Sequence, residues 1–99
     1  MGDPAFVTLV ALVETVWVLR RQYRFGAEAI ARAMLALLGA DEVVVQAPDV
    51  VRRAIRDTDG SGADLADAII AQLGIDADCD ATVTFDRRAS DLPGMRLLE

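Results

Sequence analysis

The stretch GADLADAIIA, residues 62–71, decides the fold because it places two carboxylates three residues apart at the start of an otherwise apolar helix. This spacing puts Asp64 and Asp67 on one helical face, near the positive end of the helix dipole. The opposite stripe is expected to face the core and consists of Leu65, Ala66, Ile69, Ile70 and Leu73. We therefore expect both aspartates at the rim of a hydrophobic core, in a position that suits a cation or a proton acceptor.

A further carboxylate follows a predicted strand. The apolar run ATVTF, residues 81–85, predicts a short buried strand, and Asp86 stands at its carboxyl end. Ligands of open α/β sheets bind outside the carboxyl ends of the strands. Asp86 is therefore a third candidate site residue.

The composition limits both the architecture and the chemistry. The 99 residues are enough for one domain, residues 1–99, with a single core, and 54% of them are apolar. The net charge of −6 argues against nucleic-acid binding without the help of cations. The chain has no histidine, which excludes the usual general base, zinc ligand and serine-triad partner. Hydrolysis by this chain would have to use carboxylates and a hard metal ion.

Two features bear on the cellular location. The single cysteine, Cys79, cannot form an internal disulfide, which fits a reducing cytoplasm, and we expect it to be a small buried hydrophobic residue. The apolar run 5–19 is shorter than the roughly 20 residues of a membrane span and contains Glu14. We interpret this run as a buried helix of a soluble protein, not as a membrane or signal segment.

The remaining pattern alternates helices with short apolar strands. Thr8 is the expected N-cap of a helix over residues 9–24, and Gly39 is the expected C-cap of a helix over residues 27–38. Further predicted elements are a strand at 43–45, a helix at 49–57 after Pro48, a turn through 74–80 and a strand at 95–98. This alternation predicts a parallel sheet wrapped by helices.

The first predicted helix is apolar almost all round, so we expect it to be covered on more than one side. Glu14 lies in the middle of it, and burial of an unpaired carboxylate is costly. A partner is therefore required. Two partners remain open from the residues alone, an arginine in an internal ion pair and a metal ion.

Three blocks of sequence together resemble a PIN domain, and within that family a VapC-type toxin of bacterial toxin–antitoxin systems. The blocks are VETVWVLRR at 13–21, ADLADAIIA at 63–71 and CDATVTFDR at 79–87. The resemblance implies an α/β fold, a PIN-like three-layer α/β/α sandwich with a short parallel sheet. It also implies a metal-dependent endoribonuclease that hydrolyses RNA phosphodiester bonds.

The resemblance implies a set of site residues as well. In the family, acids at the positions of Glu14, Asp67 and Asp86 bind one or two Mg²⁺ or Mn²⁺ ions and carry catalysis. Asp64 resembles the additional acid that family members often have one turn earlier, and it joins the expected metal ligands. A divalent cation would neutralise these crowded carboxylates and activate water for attack on the phosphate.

The implied partners are an RNA substrate, a cognate antitoxin protein and a second copy of the chain. Arg87, Arg88 and the basic cluster within 20–24 are candidates for phosphate contact, and a plain surface role also remains open for each. The three arginines of the helix at 49–57 are expected to form a solvated face.

The sequence departs from the family at its beginning. Family members open with a strand carrying an aspartate, followed by one or two helices, and Asp3 does not match that position. We therefore expect an N-terminally truncated PIN domain that dimerises, exchanges segments or binds another chain along a sheet edge. Besides the nuclease, two alternatives stay open. The chain could be a catalytically impaired remnant acting as an oligomerisation or antitoxin-binding module, or its acids could be solvated surface.

Overall fold

The computed structural model describes residues 3–59, 64–84, 86–87 and 89–98, and the chain forms two compact units. Unit 1 extends to Pro48 and unit 2 begins at Asp49. Among the described residues, each unit contains two α-helices and one pair of parallel strands. The parts of our predictions that concern residues 62, 63, 85 and 88 lie outside the described residues.

In unit 1, two strands enclose two helices along the chain. The strands pair in parallel, with Ala5 opposite Val43 and Val7 opposite Val45. The Gln46 N–H extends this pairing, since it donates to the Val7 carbonyl oxygen at 2.9 Å. The elements are β1 (Ala5–Val7), α1 (Leu9–Arg21), α2 (Ala27–Leu38) and β2 (Val43–Val45).

The interpretation of the run 5–19 as a buried helix is wrong for residues 5–7, whereas the predicted helix start at residue 9 is confirmed. Residues 5–7 form β1, and the chain becomes helical only after Thr8, which is extended at φ −76° and ψ 156°. The Thr8 hydroxyl accepts a hydrogen bond from the Ala11 N–H at 3.0 Å, which confirms Thr8 as the N-cap. An apolar run alone cannot distinguish strand from helix, and the pairing with β2 decides it here.

Helix α1 ends at Arg21, three residues before the predicted end. Arg24 has a positive φ of 57°, which no helical residue adopts, and the Phe25 N–H donates to the Leu19 carbonyl oxygen at 2.9 Å. The chain therefore folds back against the end of α1 before α2 begins.

The prediction that α1 is covered on more than one side is also wrong. Leu12 and Val16 are buried, whereas Val10 and Glu14 are exposed. The helix packs through a single stripe at i and i+4, as in an ordinary amphipathic surface helix. The buried apolar residues of unit 1 are Leu9, Leu12, Val16, Ile30, Met34 and Val45.

In unit 2, two helices precede a second pair of parallel strands. Pro48 opens the first helix, as predicted, because its missing N–H costs nothing in the first turn. Thr82 lies opposite Met95 and Thr84 opposite Leu97. The elements are α3 (Pro48–Thr58), α4 (Leu65–Asp76), β3 (Thr82–Thr84), a 3₁₀ turn (Ala89–Asp91) and β4 (Met95–Leu97).

Helix α4 continues through Gly74 to Asp76, so the turn predicted to begin at Gly74 is wrong. The glycine instead allows α4 to approach the start of β3 closely. A Cβ atom at position 74 would collide with the Thr82 hydroxyl oxygen at the start of β3. On the core side of α4, Ile69 is fully buried as predicted, whereas Leu73 is more than one-third exposed.

The structure confirms the predicted α/β class with short parallel strands. None of the helices in the described part of the chain is long and apolar enough to cross a membrane. The prediction that Cys79 is buried is wrong. Cys79 is exposed and follows α4 in a turn that contains Asp78 at φ 60°, so no neighbouring element covers it.

Candidate functional site

Asp64 is the N-cap of α4 and lies one residue before the helix, not on its face as predicted. Its backbone is extended, at φ −78° and ψ 136°, and its Oδ1 accepts a hydrogen bond from the Ala66 N–H at 2.8 Å. An aspartate favours this position because its short side chain reaches the free N–H groups at the beginning of a helix. One carboxylate oxygen of Asp64 is therefore committed to capping.

Asp67 lies in the first turn of α4, between the buried residues Ala66 and Ala68. Its own position is half-buried, at the rim of the core that the sequence predicted. The helix dipole favours a negative charge there. Two carboxylates thus lie within four residues at the start of α4, one at the N-cap and one in the first turn.

Asp86 lies two residues beyond β3 and is exposed. Its N–H donates to the Thr84 Oγ1 at 3.1 Å, and its carbonyl oxygen accepts from the Ser90 N–H at 3.0 Å. These bonds fix its backbone just past the carboxyl end of the strand, as predicted. Neither Asp67 nor Asp86 is without an interaction partner.

Glu14 belongs to unit 1 and stands in the middle of α1, exposed to solvent. Among the described residues of unit 1, no arginine forms an ion pair with it. Arg21, two turns further along the helix, instead places its guanidinium carbon 5.7 Å from the centroid of the Trp17 ring. The internal ion pair left open by the sequence is therefore not made there, and the exposure of Glu14 removes the energetic need for one.

The structure brings Asp64 and Asp67 together at one helix start, while Asp86 follows a strand of the same unit and Glu14 lies in the other unit. Within the described residues of either unit, no group of three or more acidic, cysteine or histidine side chains is arranged to hold a metal ion. The donors nevertheless fit such an ion chemically, since carboxylate oxygens are the ligands that Mg²⁺ and Mn²⁺ prefer.

A polar network in unit 2 was not predicted. The Arg53 Nε donates to the Gln72 Oε1 at 3.0 Å, and the Gln72 Nε2 donates to the Asp57 Oδ2 at 2.5 Å. Arg53 also pairs with Asp76, at 2.6 Å. The expectation that all three arginines of α3 are solvated is therefore wrong for Arg53, which is half-buried and joins α3 to α4.

A group of arginines and aromatic rings in unit 1, exposed except for the half-buried Trp17, was also not predicted as a unit. We call residues 17–25 the arginine–aromatic segment. Besides the contact of Arg21 with Trp17, the segment holds Tyr23 and Phe25 with ring centroids 6.3 Å apart and ring planes tilted by 57°. A signal was present in the sequence, because no acidic residue occurs from position 15 to position 27.

Comparison with known proteins gives one match. A family model described as PIN domain matches residues 1–95 of the 99-residue chain. Neither a curated protein nor a solved structure matches it. The matched range includes Glu14, Asp64, Asp67 and Asp86, the residues on which the resemblance was drawn. The chain belongs to the PIN domain family, whose members are generally metal-dependent nucleases.

Proposed function

We propose that this chain is a metal-dependent endoribonuclease of the VapC type, the toxin of a type II toxin–antitoxin system that acts in the cytoplasm. The family match over residues 1–95 carries the proposal. The position of Asp67 in the first turn of α4 supports it, because a helix holds this residue, and hydrogen bonds fix the backbone of Asp86 beyond β3.

In this proposal Glu14 of unit 1 and Asp64, Asp67 and Asp86 of unit 2 would each be a ligand of Mg²⁺ or Mn²⁺. A bound divalent ion supplies Lewis acidity to the scissile phosphate and offsets the negative charge of both the acids and the RNA. Asp64 contributes through the oxygen that does not cap α4. Its capping bond to the Ala66 N–H fixes the start of the helix, and Asp67 lies in the first turn. Asp86 acts as a ligand or orients the attacking water.

The composition supports a role for a cation. The chain has 16 acidic residues against ten arginines and no histidine. Its own side chains therefore provide neither a neutral-pH imidazole base nor a net positive surface for RNA. A bound divalent ion would compensate for both, the missing base and the missing positive charge.

The test is cleavage of an end-labelled, structured RNA by the purified chain. We expect cleavage that stops on addition of EDTA, returns with Mg²⁺ or Mn²⁺, and falls more than about 100-fold in Asp67→Asn. Asp78→Asn is the matched control, because Asp78 is an exposed aspartate of the same unit whose positive φ asparagine also tolerates. Undiminished cleavage by Asp67→Asn would refute the proposal.

A second candidate function is self-association or antitoxin binding without catalysis, and one face of the β1–β2 pair favours it. Phe6 and Val44 are register partners and therefore lie side by side, with 62% and 48% of their surfaces exposed. Exposed apolar surface of this kind is typical of interfaces. Light scattering after size exclusion should give a mass above one chain, and the double variant Phe6→Ser, Val44→Ser should lower it. A monodisperse wild-type monomer at high concentration would contradict this candidate.

A further inference from the structure

We infer that the arginine–aromatic segment, residues 17–25, is a binding surface for unpaired RNA, on which bases stack while arginines contact phosphates. The inference rests on the proposed function in taking RNA as the ligand. It adds the surface of this chain that contacts the bases and the phosphates of the RNA.

The charge of the segment differs from that of the chain. Arg20, Arg21 and Arg24 lie within five positions, and no acidic residue occurs between Glu14 and Glu28. All three arginines are exposed. An acidic protein that concentrates positive charge on one short segment attracts a polyanion there and repels it elsewhere. Guanidinium groups also match phosphate geometry better than ammonium groups do.

The aromatic side chains indicate which kind of polyanion binds. The segment contains Trp17, Tyr23 and Phe25, three of the five aromatic residues of the chain. Tyr23 is 64% exposed and Phe25 is 45% exposed, so their rings are accessible. Aromatic rings beside arginines bind single strands because each unpaired base offers a flat face for stacking. A duplex hides these faces within its own stack, which predicts a preference for unpaired RNA.

The backbone holds this surface in one conformation. Arg24 adopts φ 57°, uncommon for a residue other than glycine, and the Phe25 N–H is bonded to the Leu19 carbonyl oxygen at 2.9 Å. The Tyr23 N–H is bonded to the Val18 carbonyl oxygen at 3.4 Å. Because these bonds fix the turn before any ligand arrives, less conformational entropy is lost on binding.

The segment is also continuous with a proposed metal ligand. Glu14, Trp17 and Arg21 are spaced by three and four residues and so share one face of α1. The helical rise of about 1.5 Å per residue puts Glu14 and Arg21 roughly 10 Å apart along the axis. A strand that lies along this face would extend from the stacking surface to Glu14 within a few nucleotides.

The test is fluorescence anisotropy with a fluorescein-labelled single-stranded RNA without self-complementarity, in EDTA so that no cleavage occurs. We expect Tyr23→Ala and Phe25→Ala each to weaken binding about tenfold or more. Arg24→Asn, which suits the positive φ, should lower the slope of log K against log salt by about 0.7. The same RNA annealed to its complement should bind at least about tenfold more weakly than the single strand.

Matched controls lie in the same unit. Leu35→Ala removes an apolar side chain with 46% exposure, and Arg32→Gln removes an exposed arginine from α2. Both should leave the affinity within about twofold. Equal weakening by the controls, or equal affinity for the duplex, would overturn the inference.

A second measurement needs no variant. Trp17 is the only tryptophan, so its emission reports on the segment in the wild-type chain. Unlabelled single-stranded RNA should quench it with the dissociation constant found by anisotropy, and unchanged emission at saturation would count against the inference.

A Tyr23→Ala variant that loses self-association but keeps its RNA affinity would identify a protein interface instead. Because binding is measured in EDTA, its outcome does not depend on cleavage. RNA that binds in EDTA but stays intact after addition of Mg²⁺ or Mn²⁺ would refute the proposed nuclease and leave this inference standing.

Discussion

The two units of the molecule use their polar and aromatic side chains differently. Unit 2 carries eleven acidic residues and six arginines, and its buried Gln72 is bonded to Arg53 and Asp57. Unit 1 carries five acidic residues and four arginines, and its Glu14 and Tyr23 face solvent. In unit 2 polar groups join the helices to each other, whereas in unit 1 Glu14 and Tyr23 are exposed and, by our proposals, available to a ligand. Substitutions should therefore affect stability in the first case and recognition in the second.

The largest effect on stability is expected in the core of unit 2. Ile69→Ala should lower the free energy of unfolding by about 2–5 kcal/mol, because it leaves a cavity at a fully buried position. Urea unfolding followed by circular dichroism measures this loss. Leu73→Ala, in the same helix but more than one-third exposed, should cost clearly less. Equal losses would mean that α4 does not pack as described.

The polar network of unit 2 should have the next largest effect. Gln72→Ala removes the amide between Arg53 and Asp57 and should cost about 1–3 kcal/mol, since both partners lose a hydrogen bond in a partly buried place. Asp76→Asn, which weakens only the more exposed pair with Arg53, should cost less than about 1 kcal/mol. Urea unfolding of both variants checks the order, and a reversed order would contradict the role given to Gln72.

The caps of α1 and α4 provide a comparison of similar bonds in the two units. Thr8→Ala and Asp64→Ala should each cost about 1 kcal/mol, because each removes an N-cap side chain. Asp64→Ser keeps a capping oxygen and should restore most of the stability. If Asp64 is also a metal ligand, the serine variant should still cleave RNA more slowly than the wild type. Full activity in Asp64→Ser would limit Asp64 to capping.

The smallest effect is expected on the solvent side of α1. Val10→Ala should change the unfolding free energy by no more than about 0.5 kcal/mol and could raise it, because alanine is the better helix former and Val10 is exposed. A thermal melt is sufficient to test this. A large loss would show that this side of α1 is covered in solution, as the sequence first suggested.

Local sequence signals were sufficient to predict an element where residues that start or stop it flank both of its ends. Helix α2 has the predicted bounds, residues 27–38, because Gly26 and Gly39 flank a regular apolar stripe. Strand β2 matches its prediction as well, since three consecutive valines favour extended backbone. Strand β1 could not be predicted in this way. Its three residues continue into an apolar helix, and only the pairing with β2, almost 40 residues later, identifies them as a strand.

The same distinction between local sequence signals and long-range packing applies to the candidate site. The positions of Asp67 and Asp86 follow from local rules, one at the start of a helix and one beyond a strand, and both were predicted. The exposure of Glu14 was not, because burial depends on which elements cover α1. The bonds of Gln72 also escaped prediction, since they join side chains 15 and 19 residues apart on two helices. The metal-binding role of all four acids stays a prediction.

The absence of a side chain at Gly74 has a consequence for the proposed nuclease activity. Nothing separates α4 from the first residue of β3 at this point, so even one methyl group would act as a wedge between them. The wedge would shift the strand that leads to Asp86 with respect to the helix that begins after Asp64. A random-mutagenesis screen for inactive but folded variants should therefore recover replacements at position 74 alongside losses of the acids themselves.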